Sequence, residues 1–155
     1  MTVSRRKIVT CVAVLLVLIL LPVIAWRWVF PPMPDEQDAI ALYTAHEQEF
    51  ATLTKIFEKN CAGKVPPEAI AVANRIKPHM DLYCHYTGTV RLILGVRGFL
   101  LTIGPEQIIG LIYIPGDAAR EGRIVPVLAP HTQEVGSLYL RHVDGRWYVF
   151  YQNSD

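Results

Sequence analysis

The sequence is short of the features that would name a reaction. It has no Gly-rich phosphate loop: Gly95, Gly98 and Gly104 fall singly between apolar runs and read as bulges and turns. No GxSxG turn surrounds Ser137, the one serine between the N-terminal segment and the last two residues. The three cysteines include no CxxC pair and no lipid-attachment context, which argues against a redox enzyme and a lipoprotein. Carboxylates are scattered: Glu47 and Glu49 stand two apart on a predicted helix and face different directions. The sequence also lacks an excess of charge of either sign. Its net charge is +1, and setting aside Arg5, Arg6 and Lys7 leaves 12 of the 15 basic side chains against 14 acidic ones. A near-neutral domain offers no clustered basic face for nucleic acid. There is no internal repeat and no low-complexity tract.

What is present begins with one long apolar run. Ile8 to Ala25 carries no charge and, as a helix, rises about 27 Å, close to the hydrocarbon thickness of a bilayer. Arg5, Arg6 and Lys7 precede it. Trp26, Trp28 and Phe30 follow at the level of an aromatic belt, with Arg27 able to reach headgroups. Pro31, Pro32 and Pro34 stop the helix. Three cations before the run against one after it place the N-terminus in the cytoplasm and the rest across the membrane, in the periplasm or outside the cell. The rival reading is a signal peptide cleaved after Ala25; the length of the run and the aromatics behind it favour a retained anchor. The expected organisation is a signal-anchor over 1–30, a Pro-rich linker over 31–34 and an exported domain over 35–155.

Within that domain, helices precede strands. Asp35 to Asn60 reads as one amphipathic helix, with Ala39, Leu42, Tyr43, Phe50, Leu53, Ile56 and Phe57 on its apolar face. Glu68 to Lys77 reads as a shorter helix ended by Pro78. Val90 to Arg97 alternates as a half-buried strand, Phe99 to Ile103 follows as another, and Ile108 to Ile114 is apolar enough for a central one. Pro126 confines Ile124 to Leu128 to a sheet edge. Ser137–Val143 and Arg146–Tyr151 flank Asp144-Gly145, the signature of a two-residue hairpin turn. That register places Arg141 opposite Tyr148 and puts Leu138, Leu140, Trp147, Val149 and Tyr151 on one face. The expected fold class is α+β: a transmembrane helix, then one long helix packed on an antiparallel meander ending in a hairpin.

Few side chains suggest a site. Cys61 and Cys84, 23 residues apart, suit a disulfide in an exported domain, while Cys11 is apolar filler. His79, Asp81, Cys84 and His85 cluster but lack the second ligand pair of a zinc site; loop and strand-start polar residues explain them. No catalytic residue, metal ligand or cofactor is expected. The remaining candidate is an Arg-aromatic patch of Tyr139, Arg141, Tyr148 and Phe150, of the composition enriched at interfaces, although a covered sheet would bury the same residues. The expectation is a membrane-anchored, non-enzymatic binding or accessory domain. It would meet another envelope protein or an exported effector, as an immunity-type factor does. The alternative is a small hydrolase or metal-dependent enzyme using the His79–His85 segment.

Overall fold

Asp35 opens the first helix because its side chain accepts the Asp38 N–H while the Asp38 carboxylate accepts the Asp35 N–H, a reciprocal capping box. A computed structural model of the chain describes residues 18–21, 32–61, 63–97 and 106–154. Helix α1 runs Glu36–Ala45, α2 Glu47–Asn60 and α3 Pro67–Ile76. The single helix expected over Asp35–Asn60 is thus two. His46, at φ −129° and ψ 33°, leaves the helical region and returns its N–H to Tyr43 O. The reason lies in the pattern: a continuous helix would carry its buried stripe from Ala39 and Tyr43 through His46 and Glu47 before reaching Phe50. These two polar residues interrupt the stripe, and the turn lets α1 and α2 bury separate faces.

The chain divides into two compact units, Met1–Pro32 and Met33–Asp155. In the first, Leu18–Leu21 is helical. No helix among the described residues is long and apolar enough to cross a membrane. Most of the expected span Ile8–Ala25, its flanks from Trp26 to Phe30 and the strand expected over Phe99–Ile103 lie outside the described residues.

The second unit is α+β with a mixed six-stranded sheet. Its strands are β1 Asp81–Cys84, β2 Val90–Arg97, β3 Glu106–Tyr113, β4 Arg123–Ile124, β5 Leu138–Asp144 and β6 Trp147–Ser154, in the order β1-β2-β3-β6-β5-β4. The expected antiparallel meander is corrected in two places. Strand β6 inserts beside β3, and the two-residue edge strand β4 runs parallel to β5. Pro126 falls just beyond this short edge, where a missing N–H leaves no ladder bond unmade.

One sheet face lies under the helices. There Ala39, Tyr43, Phe50, Leu53, Phe57, Ala69, Val72 and Ile76 pack on Val90, Leu92, Leu111, Tyr113, Trp147, Val149 and Tyr151. The second face is smaller, with Ile112, Leu140 and Phe150 covered by Ile114 and Ala118 of the segment after β3. In β2 the alternation breaks between Ile93 and Gly95. The bulge turns Val96 to the second face, half exposed, instead of continuing the buried series from Leu94. Lys77 Nζ, just past α3, donates to Leu94 O at the bulge, 3.0 Å away.

Cys61, at the end of α2, and Cys84, at the end of β1, sit at disulfide distance with Cα atoms 6.1 Å apart. Their link closes a loop of 23 residues containing α3. Replacing both by Ser is expected to cost about 3 kcal/mol in chemical denaturation. An unchanged midpoint, together with two titratable thiols in unreduced wild-type protein, would show that the link does not form.

Candidate functional site

The C-terminal hairpin decides the fate of the Arg-aromatic patch. Asp144 pairs with Trp147, leaving Gly145-Arg146 as the loop, and a bulge at Val143 shifts the rest so that His142 faces Tyr148 and Arg141 faces Val149. The register expected from an Asp144-Gly145 turn is therefore corrected by one residue, and that exchanges the faces of β5. A long-range contact accompanies the shift: Asp144 Oδ2 accepts the Tyr43 hydroxyl at 3.1 Å, on the helix side, beside Trp147. Burial and this hydrogen bond push the Tyr43 hydroxyl pKa up to about 12.

As a result Tyr139 and Arg141 lie on the helix face, whereas Tyr148 and Phe150 lie on the other. Tyr139 and Phe150 are fully buried, in separate clusters, and Tyr148 is half-buried, edge-on to His142. The four do not form one patch. Leu138 and Leu140 likewise leave the Trp147 face expected for them and pack with Phe150.

Neither does the His79–His85 segment assemble a centre. His79 takes a left-handed turn at φ 59° before β1, Cys84 is paired with Cys61, and Asp81 and His85 border the second sheet face. Among the described residues, no group of three or more His, Cys, Asp or Glu side chains converges as a metal site would require.

What the fold does build is a cleft of about 430 Å³ at the end of the helix face where the chain enters the domain. Helix α1 starts at Glu36, and the sheet rows at this end are Gly95–Ile109–Tyr151 and Arg97–Gln107–Asn153. Met33 and Pro34 form one wall; Val127, Leu128, Ala129, Thr132 and Gln133 form the other. Gly95 permits the first wall to close in, because a Cβ at that position would lie 2.5 Å from Pro34 Cδ. The floor is Ile109 and Tyr151, and Arg97 and Gln107 stand at the sheet end.

The charges around this cleft are unequal in freedom. The Asp35 carboxylate caps α1 through Oδ1 and is exposed. Glu36 is buried, accepts the Leu128 N–H and pairs with Arg141. Arg97 is exposed, and its charge partly opposes the upward push of burial on the Tyr151 hydroxyl. Sequence reading missed this site. In sequence Glu36 is an ordinary acid in a helix first turn, and nothing local points to an arginine 105 positions away.

The second wall is fastened at its far end. Tyr139 donates to Glu134, His131 Nδ1 lies 2.8 Å from the same carboxylate, and the His131 ring stacks on Tyr139 at 4.5 Å. Tyr151 donates to Thr132 O at 2.9 Å. The hydrogen bond from Tyr139, then that from His131, holds the Glu134 carboxyl below its ordinary pKa. A depressed folded-state pKa means this stabilisation is complete above the unfolded value of about 4.3 and is lost as pH falls through the folded value. Glu134→Gln should therefore flatten the acid limb of the Tm–pH curve below about pH 5. Parallel curves for the variant and the wild type would show that the carboxylate is not a fastening.

The other sheet face keeps an open half. Tyr83 and Val96, 53% and 50% exposed, flank half-buried Ile93 and Ile108. Arg91 sits among them, over the Phe150 ring at 5.5 Å and donating to Gln152 at 3.0 Å. Burial lowers its pKa from the ordinary arginine value. Gly110 makes the arrangement possible, since a Cβ there would meet Phe150 Cε1 at 2.8 Å.

Comparison with family models, curated proteins and solved structures gives no match.

Proposed function

We propose that the chain is a membrane-anchored binding domain on the far side of the membrane, and that its ligand occupies the cleft between Met33-Pro34 and Val127–Gln133. The observation that carries the reading is the cleft itself. It is concave and mostly apolar, and its one buried carboxylate is already neutralised by Arg141. Such a site favours binding, and it gathers no nucleophile–base pair. The anchored setting is supported by Arg5-Arg6-Lys7 ahead of Ile8–Ala25. The Cys61–Cys84 pair suits a compartment that permits disulfides.

An export-dependent reporter fused after Asp155 should be active, and a cytoplasm-only reporter there should be silent; the reverse would overturn the setting. For the cleft, amide exchange should be slower over Val127–Gln133 in native membranes than in purified, delipidated protein. Equal exchange there, with slowing confined to β1 and β2, would overturn the location.

A second reading places a protein partner, such as another envelope protein, on the open half of the sheet. The exposure of Tyr83 and Val96 beside Arg91 favours it.

A further inference from the structure

Strand β1 is the longer of the two sheet edges. It pairs with β2 alone, whereas the opposite edge, β4, has only two residues and gives way to Pro126. Hydrogen-bond alternation fixes which backbone groups of β1 face outward. The His85 N–H donates to Thr89 O at 2.8 Å, and the ladder continues with Tyr83 opposite Arg91 and Asp81 opposite Ile93. Bonded pairs alternate along an antiparallel ladder, so Asp81, Tyr83 and His85 direct their backbone groups to β2, and Leu82 and Cys84 point theirs away from it. Among the described residues, no backbone partner meets Leu82 or Cys84 on that side. The side chains alternate as well: Asp81, Tyr83 and His85 are exposed, while Leu82 and Cys84 are half-buried against the helix-side core. A groove of about 560 Å³, bordered by Gly63 and Val65, takes in the whole run from Asp81 to His85.

We propose that this edge pairs with a second copy of the chain, β1 antiparallel to β1 about a two-fold axis at Tyr83. The inference is independent of the cleft. In this register Leu82 of one copy lies opposite Cys84 of the other. These are the two residues with free backbone groups, so they exchange N–H and C=O bonds, and symmetry repeats the exchange. Tyr83 meets its own counterpart in a non-bonded pair, where Cα atoms stand about 4.5 Å apart and side chains are closest. Asp81 of each copy then faces His85 of the other, and two complementary pairs flank the tyrosines. That complementarity selects the register. A shift of two residues either way, the smallest that keeps the free groups facing, sets Asp81 against Tyr83 or against Thr87 of the turn after β1. Pairing also covers Tyr83, which is 53% exposed in the single chain.

Sedimentation of the full chain in detergent tests this. It should show a monomer–dimer equilibrium with a Kd of about 100 μM, the weak range that suits so small an interface. Asp81→His removes both complementary pairs and should weaken the dimer about five-fold; His85→Asp sets carboxylates against each other and should weaken it about ten-fold or more. Both residues are exposed, so neither change should move the thermal midpoint. The double variant exchanges the two residues, recreates both pairs and should associate within about three-fold of the wild type. A chain still monomeric at about 500 μM would overturn the proposal. So would a dimer indifferent to both single changes, which would place the contact elsewhere, or a double variant weaker than either single one.

Discussion

Trp147→Ala should destabilise the domain by about 3–5 kcal/mol, close to the whole stability of a small domain at the lower end of the usual range. The indole is buried where α2 crosses the sheet, 4.9 Å edge-on from Phe50 and 5.5 Å from Tyr113, with Phe57 and Tyr43 around it. Its Nε1–H donates to Thr54 Oγ1 at 2.9 Å. Truncation removes the aromatic packing and leaves Thr54 without that partner, and close packing prevents the neighbours from refilling the space. Trp147→Phe keeps part of the volume and should cost less than half as much. Urea denaturation followed by far-ultraviolet circular dichroism decides it. A loss below about 1 kcal/mol for the Ala variant would mean that α2 does not rest on the hairpin as described.

Glu36→Gln should cost about 2–3 kcal/mol, because it strands the Arg141 guanidinium on the covered sheet face. The figure lies below that for a fully buried pair because the Arg141 side chain is 28% exposed. Breaking the pair also weakens the hold on Leu128, so the second wall of the cleft should loosen first, visible as faster amide exchange at Val127 and Leu128. Removing both charges together, as Glu36→Leu with Arg141→Met, should recover most of the loss, since the apolar pair carries no desolvation penalty. A double variant as unstable as the single one would show that Glu36 acts through Leu128 alone.

Local pattern carried much of the architecture. The class α+β, the apolar strand Glu106–Tyr113 at the sheet centre and the Pro-limited edge near Ile124 all follow from periodicity and breakers read over a few residues. So does the Cys61–Cys84 pair, from cysteine count and setting. The misreadings arose where a distant contact outweighed a local signal. The Asp144-Gly145 dipeptide favours a two-residue turn, yet the Tyr43 hydroxyl holds Asp144 on the helix side from 101 positions away, and one residue of slip moved Leu138 and Leu140 across the sheet. Helix continuity through His46 failed because a gap in the apolar stripe counts for more than the absence of Pro or Gly. The cleft is harder still to read. Its walls come from the entry linker and a loop without regular strand or helix pattern, which are far apart in sequence and meet only in the folded chain.

A photo-crosslinking residue placed at Val127, inside the cleft, and separately at Tyr83, on the open sheet face, tests the central claim in native membranes. Irradiation of the Val127 protein should give a discrete adduct, while Tyr83 gives little beyond solvent quenching and a covalent dimer of the chain. A strong adduct with any other species at Tyr83, with none at Val127, would contradict the account and move the functional surface to the other side of the sheet.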